Sequence, residues 1–199
     1  MSDREDIFNY NLLPWYGRLS LALGNRAILN NLTRGSWLDV LCGYQAILQQ
    51  SQKSNPLITE FHSLDHKLDK RMASKKFHLK EAFIDDKLPY KKNQFENITI
   101  VNGLEHLWKP QEILSEMYRI LKPGGILQII VPTWTGKPIL EFIAFRLKHT
   151  QAYIEMNDHK MYYDQKDLWP LLAKSGFEPK NIHLRYIKFY CSLHAVVIK

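Results

Sequence analysis

The chain has 199 residues, of which 45% are hydrophobic and 24% charged, and this length fits one domain with a substantial core. No apolar run approaches the roughly 20 residues needed to cross a bilayer, so no membrane-spanning helix is expected. The first residues, Met-Ser-Asp-Arg-Glu-Asp, are charged and lack an apolar signal core, which argues against secretion.

The cysteines and the net charge narrow the class further. Cys42 and Cys191 lie far apart without metal-ligand spacing, so we expect a reduced, cytoplasmic protein. The net charge is +7, but the lysines are dispersed, and the densest group lies within residues 67–80. Because such a run is usually a solvated face, nucleic acid is not the expected partner, whereas phosphorylated or membrane-linked substrates would fit a basic surface.

The first part of the chain predicts helical segments followed by three strands. Residues 3–31 are rich in apolar and aromatic side chains, and Pro14 separates two helical pieces. This N-terminal helical cap, residues 1–34, is either a substrate lid or a cap packed on the sheet. The strands are predicted at Trp37–Leu41, Leu57–Leu64 and Phe77–Phe83, with a short helix over residues 44–50 after the first.

Residues 95–131 predict one strand–helix–strand unit. Ile98–Val101 is a short β-branched run, typical of a strand that is buried on both faces of a parallel sheet. From Pro110 the apolar residues recur at helical spacing, and Lys122-Pro123-Gly124-Gly125 ends that helix before a strand at Ile126–Val131. Such a unit nearly always makes a right-handed crossover.

The last third of the chain predicts two helices and an antiparallel strand pair. One helix runs through Lys148, and another is capped by Asp164 and stops at Ser175-Gly176. Strands at Ile182–Lys188 and Ser192–Ile198 are joined by a tight connection, so they should pair antiparallel. Strands that alternate with helices in this way predict a single doubly wound α/β domain over residues 1–199, with its core at 35–199.

Two motifs in this pattern resemble class I S-adenosylmethionine-dependent methyltransferases of the type 11 kind. They are Leu104-Glu105-His106-Leu107 after the fourth strand and Leu121-Lys122-Pro123-Gly124-Gly125 before the fifth. The ending, Asp158 to Tyr163 followed by a helix and Gly176-Phe177, is also similar to small members of that family. The resemblance implies a Rossmann-like, seven-stranded, mostly parallel sheet with an antiparallel last strand, in a three-layer α/β/α sandwich, with a lid segment at residues 133–163.

The resemblance also implies a cofactor turn after the first strand, and this chain departs from its pattern. Where the family has an acidic residue followed by three alternating glycines, the chain reads Asp39-Val40-Leu41-Cys42-Gly43-Tyr44-Gln45. Leu41 adds a branched side chain where the cofactor approaches, and a left-handed backbone there would be strained. We therefore expect cofactor binding by Asp39, Leu41, Cys42 and Gly43 to be weakened, rearranged or lost.

Other residues at the carboxyl ends of the predicted strands match positions that surround S-adenosylmethionine in the family. Asp65 would accept hydrogen bonds from the ribose hydroxyls, or would simply cap the next segment. Asp86, or its neighbour Asp85, would receive the adenine amino group, and Asn102 and Gly103 would line the methionine end. His106 is either a general base, since imidazole titrates near neutrality, or a residue that orients the turn.

Two functions remain open from the sequence. The first is methyl transfer from S-adenosylmethionine to a small-molecule, glycan or lipid-linked acceptor, with an apolar substrate wall drawn from Trp134, Phe142, Phe145, Tyr153, Tyr162 and Tyr163. The second is a methyltransferase-like domain that has lost its cofactor and acts as a binding or regulatory partner. A nicotinamide-binding domain is discounted because no Gly-x-Gly-x-x-Gly occurs. No metal is expected, because the eight histidines show no ligand spacing on a helix.

Overall fold

A computed structural model describes residues 15–43, 55–66, 68, 73–84, 87–146, 153 and 156–199. Its seven strands are β1 (Gly35–Val40), β2 (Ile58–Asp65), β3 (Phe77–Glu81), β4 (Phe95–Val101), β5 (Leu121–Pro132), β6 (Ile182–Ile187) and β7 (Ser192–Ile198). Its α-helices are α1 (Trp15–Leu29), α2 (Pro110–Ile120), α3 (Lys137–Glu141) and α4 (Gln165–Lys174). A 3₁₀ turn spans Leu104–His106, and a π-helical turn, Phe142–Arg146, continues α3.

The strands form one sheet in the order β3-β2-β1-β4-β5-β7-β6. β1 to β5 pair in parallel, and β7 lies antiparallel between β5 and β6. The predicted doubly wound α/β fold with an inserted antiparallel last strand is therefore confirmed. The boundaries drawn at residue 34 and around the lid at 133–163 stay predictions.

The sheet is buried on both faces, which explains the continuous apolar strands. On one face, alternate residues such as Leu38, Ile98 and Ile129 pack with α2 and α4 into the main core. On the other face, Trp37, Phe61 and Ile130 pack with Ile28 of α1. The result is the predicted three-layer arrangement, with helices on either side of one sheet.

The helix ends follow the sequence signals. Pro110 occupies the first turn of α2, where its missing N–H is tolerated. Asp164 and Asp167 form a capping box at the start of α4, and Gly176, with φ of 107°, follows that helix. The segments at 1–14 and 44–50, where helical pieces were expected, lie outside the described residues.

β5 begins earlier than expected because the Pro-Gly-Gly turn is built into the strand as an irregularity. Phe95 pairs with Leu121 and Asn97 pairs with Ile126, so the register shifts between them. Gly124 has φ of 75°, and a Cβ atom on Gly125 would lie 2.9 Å from the Lys122 carbonyl oxygen. Glycine is therefore needed at both positions of this bulge.

Candidate active site

The parallel strands place the predicted site residues at one edge of the sheet. Asp39 lies near the end of β1 and Asp65 ends β2, while residues 102–106 follow β4. Backbone bonds continue past the strand ends: the Leu41 N–H donates to the Leu64 carbonyl and the Asn102 N–H to the Ile130 carbonyl, each at 2.8 Å. The two turns therefore start side by side, as strand order predicts. Asp85, Asp86 and Gln45 lie outside the described residues.

Leu41, which stands where the resemblance leads us to expect a glycine, has a left-handed backbone conformation. Its φ is 52°, a left-handed value that strains a branched residue, and Gly43 has the same φ. The Leu41 side chain packs against the next turn: a Cβ atom on Gly103 would lie 2.9 Å from Leu41 Cβ and 3.2 Å from Leu41 Cδ1. The strain expected from the sequence is thus present, and the side chain fills the space beside Gly103.

Asp65 links the end of β2 to the turn after β1. Its Oδ2 accepts a hydrogen bond from the Gly43 N–H at 2.8 Å, and its Oδ1 accepts one from the His66 N–H at 2.6 Å. The carboxylate is 4% exposed. Oδ1 also lies 2.6 Å from His66 Nδ1. These contacts match the capping role anticipated as one alternative, and Oδ2, with one donor among the described residues, keeps a lone pair for a further donor.

Asp39 points into the protein. The Thr99 hydroxyl donates to Asp39 Oδ1 at 2.5 Å and accepts a hydrogen bond from Trp37 Nε1 at 2.8 Å. Burial raises the pKa of Asp39 to about 7; the Thr99 hydrogen bond opposes the shift and the charge of Asp65 adds to it. Asp39 thus fastens β1 to β4 behind the turn.

Cys42 has the electrostatics of a structural thiol. Burial raises the pKa of Cys42 well above its usual range, and the neighbouring charges of Asp39 and Asp65 raise it further. A thiol held in its protonated form is a poor nucleophile. We therefore interpret Cys42 as a residue that packs within the turn and does not act as a nucleophile.

His106 is held against the segment that precedes α4. Its Nδ1 lies 2.9 Å from Asp158 Oδ2, and the Lys160 N–H donates to the Glu105 carbonyl at 2.7 Å. Lys160 Nζ lies 3.0 Å from Asp158 Oδ1. Because a carboxylate only accepts hydrogen bonds, Asp158 fixes the proton of His106 on Nδ1 when the ring is neutral.

His159 is the second imidazole of this region. The His106 and His159 ring centroids are 5.0 Å apart. His159 Nδ1 lies 3.1 Å from the Tyr162 hydroxyl, which donates in turn to Met156 Sδ at 3.2 Å. Glu105, His106 and His159 offer ligand atoms within 4.8 Å of one another.

Sequence reasoning missed the roles of Thr99, Asp158 and His159. Thr99 is the one polar residue of the Ile98–Val101 run, and a hydroxyl inside a buried strand signals a buried partner. Of the predicted apolar wall, Phe142 and Phe145 are exposed, whereas Tyr163 is 1% exposed and belongs to the main core. The burial of Tyr163 removes it from that wall.

The described parts of the chain contain no helix with the length and apolarity to cross a membrane.

Comparison with known sequences places residues 38–129 in a match to the methyltransferase domain family. Curated relatives include the ubiquinone/menaquinone biosynthesis C-methyltransferase UbiE of Neisseria meningitidis, 29% identical over 111 residues, which are 49% of this chain and 45% of that protein. UbiE of Legionella pneumophila (strain Corby) is 30% identical over 110 residues, covering 48% of this chain and 44% of the relative. The matched stretch spans less than half the length of these relatives.

Solved structures share the fold at low identity. An S-adenosylmethionine-dependent methyltransferase from Aquifex aeolicus aligns with a TM-score of 0.63 and 18% identity, over 92% of this chain and 93% of that one. A second, from Mesorhizobium loti, aligns with a TM-score of 0.64 and 13% identity, over 88% of this chain and 96% of that one.

Proposed function

We propose that the chain transfers a methyl group from S-adenosylmethionine to a small organic acceptor, because residues 38–129 match the methyltransferase domain family and solved methyltransferases share its fold. The observation that carries this proposal is the direct contact among three stretches. The Leu41 side chain packs on Gly103, and the Gly43 N–H bonds to Asp65. These are the stretches that surround the cofactor in the family, and here they form one continuous edge.

The residues present fit the cofactor better at its ribose than at its methionine end. A Cβ atom built on Gly43 would have no atom of the described residues within 4 Å, apart from its neighbours in the chain, which leaves room beside that backbone in this part of the structure. Asp65 is a buried carboxylate whose Oδ2 accepts one N–H among the described residues, so this oxygen keeps acceptor capacity for a ribose hydroxyl. Its Oδ1 contacts both the backbone N–H and the ring Nδ1 of His66. At Gly103 the corresponding space holds the Leu41 side chain. The space that would hold the methionine end of the cofactor is therefore narrowed by the Leu41 side chain.

Within this proposal each predicted residue has a distinct task. Asp65 accepts the ribose hydroxyls, Gly43 gives the ribose close access to the backbone, and Asn102 and Gly103 border the methionine end. Asp86 is assigned to the adenine amino group by resemblance alone. The cofactor, when bound, supplies a methyl group already activated by its sulfonium, so these residues mainly have to orient it and exclude water.

His106 is the proposed general base. Asp158 holds Nδ1, so Nε2 is the atom that would take a proton from an acceptor hydroxyl. The alternative from the sequence, that His106 orients the turn, is also supported by this contact between His106 Nδ1 and Asp158. Replacing His106 with Gln separates the two roles: a base predicts a large loss of turnover with cofactor affinity unchanged, whereas an orienting residue predicts weaker cofactor binding.

We propose an apolar or lipid-linked acceptor, because exposed apolar side chains lie on α1 and on the turn between β6 and β7. α1 packs beside β5: a Cβ atom on Gly24 would lie 3.7 Å from Ile130 Cδ1, near the end of that strand. On α1, Trp15, Leu19 and Leu23, spaced four residues apart, are 71%, 49% and 40% exposed. The turn between β6 and β7 adds Phe189, which is 92% exposed. Such a surface would shelter an apolar substrate.

A second candidate function is a methyltransferase-like domain that works as a binding or regulatory partner. It is favoured by one observation, the Leu41 side chain in the space beside Gly103. Because the turns after β1 and β4 pack directly against each other here, they need no ligand between them to complete their packing.

Calorimetry with S-adenosylmethionine and S-adenosylhomocysteine separates the two functions. The enzyme proposal predicts saturable binding by the wild type that strengthens in Leu41→Gly, because the substitution reopens the space at Gly103. Asn93→Gly, which changes a left-handed residue before the start of β4 and so at the opposite end of that strand, is the matched control and should leave affinity unchanged. Asp65→Ala should weaken binding by about 1–3 kcal/mol through loss of hydrogen bonds to a charged group. Absence of binding by wild type and Leu41→Gly alike at millimolar ligand overturns the proposal in favour of the second function.

A further inference from the structure

A carboxylate and two imidazoles meet beside the candidate cofactor turn. Glu105 and His106 come from the 3₁₀ turn after β4, and His159 comes from the segment before α4. Their ligand atoms all lie within 4.8 Å of one another, and Glu105 is 1% exposed. Two imidazole nitrogens and one carboxylate oxygen form a ligand set suited to Zn²⁺ and to other divalent first-row transition metals.

We propose that Glu105, His106 and His159 bind a divalent transition-metal ion. The remaining coordination positions would be open to water or to an oxygen of a ligand, as in sites with three protein ligands. The ligands come from two segments that are 53 residues apart, which is why spacing within the sequence gave no sign of the site.

The hydrogen bonds around the two rings support metal binding through Nε2. Asp158 accepts from His106 at Nδ1, at 2.9 Å. His159 Nδ1 lies 3.1 Å from the Tyr162 hydroxyl oxygen, which is also 3.2 Å from Met156 Sδ. In the proposed site both rings carry their proton on Nδ1, directed at Asp158 and at the Tyr162 oxygen, and offer the Nε2 lone pair to the metal. Metal-binding histidines usually have such a partner on the second nitrogen, which fixes the ring and increases its basicity.

The support extends one layer further at His106. Lys160 Nζ contacts Asp158 Oδ1 at 3.0 Å, and the Lys160 N–H bonds to the Glu105 carbonyl at 2.7 Å. One residue therefore holds both the backbone of the carboxylate ligand and the partner of the first histidine. This double contact keeps the two segments in register, which a site assembled from distant parts of the chain requires.

Metal binding changes the role of His106. Nε2 cannot coordinate a metal and accept a proton at the same time, so a bound metal replaces the general-base role proposed above. Only this consequence for His106 rests on the proposed methyl transfer; the metal site itself does not.

A second group on the sheet provides an internal control. Glu60 and His62 of β2 and His78 of β3 also lie within 4.8 Å of one another. The two rings stack with their centroids 4.6 Å apart, and Glu60 is exposed. A double variant, His62→Gln with His78→Gln, removes this group and leaves the proposed site unchanged.

The test is titration of chelator-treated, tag-free protein with Co²⁺, monitored by the visible absorption of the bound ion, and with Zn²⁺ by calorimetry. We expect saturable binding of one ion in the wild type and in the His62→Gln/His78→Gln variant. His159→Gln and Glu105→Gln should abolish it or weaken it at least tenfold, and Asp158→Ala should weaken it by about 10–100-fold through loss of the partner of His106. Circular dichroism and thermal unfolding establish that each variant is folded.

Two outcomes overturn the proposal. One is the absence of binding to the wild type. The other is binding that survives in folded His159→Gln and disappears in the sheet variant, which would assign the metal to Glu60, His62 and His78. These readouts are independent of S-adenosylmethionine, so failure of the metal site leaves the methyltransferase proposal intact, and failure of cofactor binding leaves the metal site intact.

Discussion

The turns after β1 and β4 share a backbone conformation and differ in the residue that adopts it. Leu41 and Asn102 each follow the last residue of a strand, with φ of 52° and 49°. Asparagine tolerates this region because its short polar side chain can bond locally, whereas a branched aliphatic residue is strained there. The turn after β4 has a residue suited to its backbone conformation, whereas the turn after β1 adopts the same conformation with backbone strain at Leu41.

The backbone strain at Leu41 is offset by the packing of its side chain. Its side chain is partly buried against the main core and contacts Gly103 across the gap between the turns. The comparison teaches that a branched residue can occupy a left-handed turn when contacts from a neighbouring turn offset its strain. At this edge of the sheet the two turns share a backbone conformation, and the Leu41 side chain fills the space between them.

The substitution Asp39→Asn should have the largest effect, which is a change in how the free energy of unfolding depends on pH. Burial raises the folded-state pKa of Asp39 to about 7, above the usual value of about 4. The folded protein therefore binds this proton more tightly than the unfolded chain, so the stability due to Asp39 is greatest below about pH 4 and is lost as the pH rises to about 7.

Asp39→Asn removes this dependence, because the amide stays neutral while its oxygen still accepts from Thr99. The free energy of unfolding of the variant, relative to wild type, should increase between pH 4 and 8 by as much as about 4 kcal/mol. Urea unfolding at several pH values measures it. A constant difference between the two proteins over this range would show that Asp39 is already ionised in the fold.

Alanine at position 103 tests the contact between the two turns. The added Cβ would lie 2.9 Å from Leu41 Cβ and 3.0 Å from Ile100 Cγ1, so we expect a loss of about 1–3 kcal/mol of stability from overpacking. Leu41→Gly in the same chain should recover part of this loss, because it removes the Leu41 Cβ atom that the added methyl group crowds. A double-mutant cycle in denaturant measures the coupling, and strict additivity would contradict the contact.

Alanine at position 65 tests the link between the turn after β1 and the end of β2. Removal of the carboxylate leaves the Gly43 and His66 N–H groups without this acceptor and should destabilise the fold by about 1–2 kcal/mol. The same change should lower the pKa of Asp39, since the charge of Asp65 contributes to raising it. Chemical unfolding and titration of Asp39 by NMR measure the two effects, and Asp65→Asn, which keeps one acceptor, is the control.

The fold was predictable because its signals are local. β4, α2 and β5 are marked by a β-branched run, apolar residues at helical spacing and a Pro-Gly-Gly breaker, and each depends on residues close together in the chain. The start of β5 was placed too late, because bulge residues at 122–125 resemble an ordinary turn until their pairing with β4 is known.

The site was less predictable because its contacts join distant residues. Strain at Leu41 followed from residue type, but its contact with Gly103 depends on β1 and β4 being neighbours in the sheet. The partners of His106 come from a segment without apolar periodicity, where sequence patterns carry little information. The contact of His159 with the Tyr162 hydroxyl depends on how both side chains are placed, which the sequence does not show.

Glycine substitution at the two left-handed residues should give the smallest effects and the most direct comparison of the two turns. In Leu41→Gly, relief of about 1–2 kcal/mol of backbone strain opposes the lost apolar contact and the greater freedom of the unfolded chain. We expect a net change in stability below about 1 kcal/mol. In Asn102→Gly there is little strain to relieve and an exposed side chain to lose, so the change should stay within about 0.5 kcal/mol. Denaturant unfolding of both variants under one set of conditions measures the pair. A strong stabilisation by Leu41→Gly would mean that packing on Gly103 does not offset the strain, and the turn after β1 would then be held in its shape by the rest of the sheet edge alone.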